Sequence, residues 1–181
     1  GTAVLASTDW TPAQPGAEAR PAQNGLILTR TWYRVPATGP LARLDPGPDG
    51  TIRLQVDDVI EEVAELATLE DRAHVALRLP LAAGTEPLNP NLANAPAEAA
   101  PSAGPTLAPS YAAFGDDEVV QVWLSLPRGT VTVRHRLRAT LPGSYTQPPG
   151  LAEMIYRPGV DGSTGGMRVV IAPSPPTIFS L

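Results

Sequence analysis

The stretch Glu118–Ala139, "EVVQVWLSLPRGTVTVRHRLRA", decides the fold. Its first half alternates, placing Val120, Val122, Leu124 and Leu126 on one face. Its second half alternates again, with Val131, Val133, Leu137 and Ala139 inward and Thr132, Arg134, Arg136 and Arg138 outward. The short Pro/Gly connection "PRG" at 127–129 joins the two runs, so together they form a β-hairpin. A strand rise of about 3.3–3.4 Å separates successive outward arginines by roughly 6.7 Å. That stripe reads either as an anion- or carboxylate-binding surface or as one side of cross-strand pairs with Asp and Glu of a neighbouring strand. The second reading is the more economical, because opposite charges across a sheet stabilise it.

Working outward, the same alternation recurs. "LILTRTWYRV" (26–35) is a strand by β propensity, and "TIRLQV" (51–56) places Ile52, Leu54 and Val56 on one face after an Asp49–Gly50 turn signal. "RAHVALRLPLAAG" (72–84) sets Ala73, Val75, Leu77 and Leu79 on one face, and "MRVVIAP" (167–173) is a short closing strand. The 22 prolines and 16 glycines in 181 residues exclude long helices, because an interior proline removes a donor and clashes with the preceding turn. The fold class expected is all-β, an antiparallel β-sandwich with long loops and at most one short helix. Residues 1–24 read as an N-terminal segment, apolar from Thr2 to Trp10 and then a Pro- and Ala-rich linker; residues 25–181 read as the sandwich domain.

Two segments are less clear. "DDVIEEVAELATLE" (57–70) has Val59, Val63 and Leu66 at helical spacing, good helix formers and a capping aspartate, so propensity alone predicts a helix. "TEPLNPNLANAPAEAAPSAGPTLAPS" (85–110) holds six prolines and no periodicity. It is either a functional or mobile loop or an extended arm lying across the sheet.

Composition narrows the chemistry. All 13 cations are arginine and the net charge is −5, which leaves no basic footprint for nucleic acid and no lysine for Schiff-base or P-loop chemistry. With no cysteine there is no thiolate nucleophile, disulfide or cysteine metal site. No apolar run approaches the roughly 20 residues needed to span a bilayer, so no direct membrane insertion is expected. The two histidines stand apart: His135 is on the apolar parity of its strand and reads as a hydrogen-bonded structural residue, while His74 is on the polar parity of another. Asp45, Asp49 and Asp116–Asp117–Glu118 offer oxygen ligands without the spacing of a calcium loop, and "GSTGG" (162–166) lacks the lysine and following helix of a phosphate cradle. No catalytic, cofactor-binding or metal-binding residues are assigned, and the chain is not expected to be an enzyme.

One string remains. In "SYTQPPGLAEMIYRPGV" (144–160), Pro148–Pro149 stiffens the entry and Pro158–Gly159 ends it, with Met154, Ile155 and Tyr156 between. Met and Tyr in a rigidly framed loop suit a contact surface or a plug at one end of the sandwich.

These strings, in order, carry a resemblance. "DVIEEVAEL", "EDRAHVALRLPLAAGTEPLNPNLA", "LPRGTVTVRHRLRATLPGSYTQPP" and "AEMIYRPGVDG" resemble the C-terminal domain of bacterial alpha-2-macroglobulins, from about Gly25 to Ala172. The resemblance implies a β-sandwich similar to the receptor-binding domain of the eukaryotic inhibitors, with a strand rather than a helix at 58–69. It implies an envelope or periplasmic protein that traps proteases, with other domains of the same chain and the target proteases as partners. In thioester-bearing members the Met-Tyr pair of this loop covers the thioester; Tyr156 matches the tyrosine, while Ile155 stands at the usual methionine and Met154 one residue earlier. A secreted adhesion or carbohydrate-binding sandwich is the alternative, opposed by the nine scattered aromatic residues, most of which read as core.

Overall fold

The computed structural model describes residues 20–174, so the Thr2–Trp10 segment and most of the linker lie outside the described residues. In chain order the strands are β1 (Ala22–Asn24), β2 (Ile27–Val35), β3 (Ala42–Leu44), β4 (Thr51–Gln55), β5 (Val59–Thr68), β6 (Arg72–Pro80) and β7 (Thr85–Leu88), then β8 (Tyr111–Phe114), β9 (Glu118–Leu126), β10 (Gly129–Ala139), β11 (Gly143–Gln147), β12 (Leu151–Met154), β13 (Asp161–Ser163) and β14 (Met167–Ala172). The helical content of the described residues is one 3-10 turn, Ala97–Ala99. The all-β expectation holds.

The strands form three sheets, ordered β1-β13-β12-β6-β9-β8, β3-β2-β5-β10-β7 and β11-β14-β4. Pairing is antiparallel except between β14 and β4, which run parallel. The second sheet is the shared wall. One half of its inner face, with Leu28, Leu66, Val131 and Val133, packs on Leu77, Leu79, Val119 and Trp123 of the first sheet. The other half, with Trp32, Ile60 and Leu137, packs on Ile52, Leu54, Val169 and Ile171 of the third. Each fully buried side chain of this size contributes about 1.5–3 kcal/mol relative to exposure.

The strand that the resemblance implied at 58–69 is present against local helix propensity, and one parity reading is corrected. Residues 59–68 are β5, paired on one side with β2 and on the other with β10. Helix propensity there is worth tenths of a kcal/mol per residue, and two full ladders plus buried Ile60, Ala64 and Leu66 outweigh it. In β9 the buried set is Val119, Gln121, Trp123 and Leu126, so Leu126 is inward as read while Val120, Val122 and Leu124 face outward. The β10 parity is as read, with Val131, Val133, His135, Leu137 and Ala139 all buried.

Residues 98–102 lie on the outer face of the second sheet, held by Glu61, Arg136 and Arg138, and residues 106–110 run along the β10 edge to β9, the extended-arm reading. Thr106 exchanges backbone and side-chain hydrogen bonds with Thr132, and Ser110 bonds to β9. Gly162 of "GSTGG" sits in β13, where a Cβ would overlap the carbonyl of Leu26, so the glycine permits close strand approach.

Candidate functional site

The segment after β12 turns tightly. Met154 N–H donates to the Val160 carbonyl at 3.0 Å, Arg157 N–H to Met154 at 3.2 Å, and Val160 N–H to Arg157 at 3.3 Å. Gly159 supplies the positive φ of 85° that closes the turn. Ile155 N–H donates to the His74 carbonyl at 2.9 Å, tying the loop to the start of β6. The strand direction then divides the three residues singled out in the sequence. Met154 packs against the core, whereas Ile155 is 47% and Tyr156 78% exposed. Under Tyr156 lies His74, itself at a positive φ of 55°, with ring centroids 5.1 Å apart in an edge-on arrangement. Two large side chains are thereby held outward on a braced loop.

A second cluster has the residue types of an active site and is sealed instead. Where the inner face of the second sheet passes the junction of the other two sheets, Glu62 accepts hydrogen bonds from Arg30 Nε and Nη2 and from Trp32 Nε1, the last at 2.9 Å. Arg30 also donates to the carbonyls of Pro80, closing the first sheet, and Pro148, beside the third, each at 2.9 Å. The arginine thus pins all three sheets. His135 Nε2 lies 3.7 Å from Glu62, beyond hydrogen-bond range, and neither ring nitrogen has a partner among the described residues. The expected structural histidine is therefore buried but not hydrogen-bonded. Burial pushes the Glu62 carboxyl up, but the charges of Arg30 and His135 and the hydrogen bonds from Arg30 and Trp32 together outweigh it, and the group titrates below its ordinary range. Burial likewise holds the His135 imidazole below its ordinary range, against the opposing pull of Glu62. Glu62 and His135 are fully buried, and the Arg30 side chain is nearly so.

The arginine stripe is paired. On the outer face Glu61 accepts from Arg136 Nε at 2.9 Å and lies 4.0 Å from Arg134 Nε. Its remaining capacity is taken by Ser102 of the arm, through the backbone N–H at 2.8 Å and the hydroxyl. Arg138 pairs with Glu98 of the same arm. Three of the five candidate oxygen ligands are similarly occupied: Asp45 by Arg43, Asp49 by Arg53, and Glu118 by Arg78. The Arg53 hydrogen bond lowers the Asp49 carboxyl to about 2.

Sequence reading located the 154–156 loop but not its division into an inward methionine and outward Ile-Tyr, nor the Arg30–Glu62 pin. A usable signal existed for the latter. Arg30 falls on the same strand parity as Leu28 and Trp32, and a charge on a buried face requires a buried partner.

A family model described as "Bacterial Alpha-2-macroglobulin MG10 domain" matches residues 25–159. The fold is similar to part of the trypsin-activated alpha-2-macroglobulin of Escherichia coli (TM-score 0.67, 21% identity, covering 86% of this chain and 11% of that one). It is similar to part of a Salmonella alpha-2-macroglobulin reacted with methylamine (TM-score 0.65, 21% identity, 88% and 10% covered). It is also similar to part of native Escherichia coli alpha-2-macroglobulin spanning MG7 to the C-terminus (TM-score 0.64, 22% identity, 86% and 25% covered). The chain therefore spans between 10% and 25% of the length of these solved relatives. No curated protein sequence matches it. Among the described residues no helix is long and apolar enough to cross a membrane.

Proposed function

This chain belongs to the bacterial alpha-2-macroglobulin MG10 domain family, and from that premise we propose that it is a non-catalytic C-terminal domain of a periplasmic protease inhibitor. It docks on neighbouring domains of the longer chain, and its Met154–Ile155–Tyr156 loop shields a thioester carried elsewhere in that chain. The observation that supports this reading is the presentation of Ile155 and Tyr156 to solvent on a loop fixed at both ends. A thioester is a hydrolysable bond, and an apolar cover lowers its exposure to water. Ile155 and the Tyr156 ring supply such a cover, and the phenol can reach a polar partner at the rim. Met154, turned inward, seats the loop on the core.

The relatives support the surroundings assumed. The matched Salmonella protein was reacted with methylamine, and the matched Escherichia coli proteins were activated by proteases or captured in the native state. Cleavage of a bait segment would displace this domain as a rigid body and uncover the bond. The test is hydroxyl-radical footprinting of the full-length inhibitor. Tyr156 is expected to be protected in the native protein and reactive after protease cleavage. Equal reactivity in both states would remove the shielding role.

A further inference from the structure

Asn24 and Gly25 form the only asparagine–glycine step in the chain; the other asparagines, Asn89, Asn91 and Asn94, precede proline, leucine and alanine. Such a step is chemically reactive. With no side chain on the following residue, its backbone nitrogen can reach the asparagine carboxamide and close a five-membered imide. The fold cannot dispense with this glycine. Gly25 has a φ of 90°, in the left-handed region, and a Cβ there would stand 3.1 Å from Arg72 Nη2 and 3.3 Å from Val160 Cγ1.

Asn24 also stands where a charge matters. It lies directly opposite Asp161 in the β1–β13 ladder, and its Nδ2 donates to both carboxylate oxygens, at 3.1 and 3.2 Å. The asparagine is exposed, and β1 is a three-residue strand at the end of the first sheet. A short end strand opens locally at small cost, which frees the Asn24 side chain for ring closure. Two aspartate–glycine steps could form the same imide and are better protected. The Asp49 carboxyl is held ionised by two hydrogen bonds from Arg53, at 3.2 and 2.6 Å, so its carbon is a poor target for attack. Asp161 lies in β13, paired on both sides by β1 and β12, and Gly162 after it is buried.

We propose that Asn24 is a deamidation site whose conversion releases β1 from the sandwich. The Gly25 nitrogen attacks Asn24 Cγ, and Nδ2 leaves as ammonia, taking the Gly25 amide proton with it. Water then opens the imide at either carbonyl. The product is aspartate or, with the main chain rerouted through the side chain, isoaspartate. Both products fail at the ladder. Aspartate sets a carboxylate where a donor stood, so two negative charges face one another across the strand pair, a destabilising arrangement. Isoaspartate adds a methylene to the main chain, which moves Ala22 and Gln23 out of register with Ser163 and Gly162. Leu26, fully buried, anchors the chain beyond, so the release is confined to β1.

The test incubates the full-length protein in mildly alkaline buffer and follows deamidation by peptide mass mapping, with hydrogen exchange on the same samples. Asn24 is expected to convert before Asn89, Asn91 and Asn94. The converted protein is expected to lose amide protection across Ala22–Asn24 while β6 and β9 keep theirs. Asn24→Asp is expected to reproduce that loss without ageing, and the pair Asn24→Asp, Asp161→Asn to restore protection by exchanging donor and acceptor. No conversion of Asn24, or conversion of another asparagine first, overturns the site. Conversion with β1 protection unchanged, or an Asn24→Asp variant as protected as wild type, overturns the release. A double variant as open as the single one overturns charge opposition as its cause.

Discussion

Tyr156 rests edge-on against His74, with ring centroids 5.1 Å apart and planes at 75°, while the Ile155 N–H is bonded to the His74 carbonyl. The left-handed backbone of His74, uncommon for a non-glycine residue, puts its ring where the tyrosine can lean on it. An exposed phenol is thus held upright and pre-ordered, which lowers the entropy lost when it meets a partner. Because the pair is solvated, its contribution is to orientation more than to stability.

Tyr156→Ala and Ile155→Ser are therefore expected to change the unfolding free energy by no more than about 0.5 kcal/mol, the range of ordinary surface substitutions. Met154→Ala, which removes side-chain packing against the core cluster, is expected to cost more. Urea denaturation of the three variants separates an outward contact pair from a core plug. A large loss in the Tyr156 variant would place that ring in the core.

The Arg30–Glu62 pin predicts a different pattern. Glu62→Ala leaves a guanidinium buried without its counter-charge, and breaking such a pair costs about 3–5 kcal/mol. The double variant Arg30→Met, Glu62→Leu removes both charges and is expected to be more stable than the single one. The same denaturation measurement checks both. A single variant no less stable than the double would mean that Arg30 is satisfied by the Pro80 and Pro148 carbonyls alone.

His135 gives stability a pH dependence. Its folded pKa lies below the ordinary value of 6.5, so under that pH the unfolded chain takes up a proton the folded chain refuses. Its contribution is fully present above 6.5 and declines as pH falls toward the folded value. Glu62 shifts in the same direction, so its contribution is present above 4.5 and is lost as pH falls through its own lower folded value. His135→Phe is expected to flatten the stability profile between about pH 7 and 5 while leaving the loss at lower pH. Chemical denaturation across that range checks it, and an unchanged slope would mean that His135 titrates alike folded and unfolded.

The arm at 89–110 is latched by Glu61 and the arginines. Glu61→Ala removes the acceptor for both Ser102 bonds and for Arg136 Nε, so the arm is expected to be cleaved faster by a protease of small-residue specificity. Elastase digestion followed by mass spectrometry reads this directly, with cuts among the alanines of 93–103. Unchanged cleavage would show that Thr106–Thr132 and Glu98–Arg138 hold the arm without Glu61.

How far the sequence carried the fold depended on which force ruled each strand. β10 was legible because its inward face is apolar apart from His135 and its outward face carries three arginines. β9 misled because its outward Val120, Val122 and Leu124 are as apolar as its inward set, where Gln121 interrupts. β5 reads as a helix locally and becomes a strand through Arg30, Trp32, Arg136 and two ladders, all distant in sequence. The family resemblance, and not periodicity, identified that strand. In the candidate site, Pro148–Pro149 and Pro158–Gly159 marked the frame correctly. The inward turn of Met154 was invisible because it depends on pairing with Val75 across to β6.

In the proposed function, this loop covers a reactive bond carried elsewhere in the longer chain. The most direct measurement is incorporation of a small radioactive amine into the full-length protein before any protease is added, comparing wild type with Tyr156→Ala. Faster labelling of the variant is the predicted result, because removing the ring opens the cover. Equal labelling of the two proteins, or no labelling of either, would contradict the shield and leave the loop a docking contact alone.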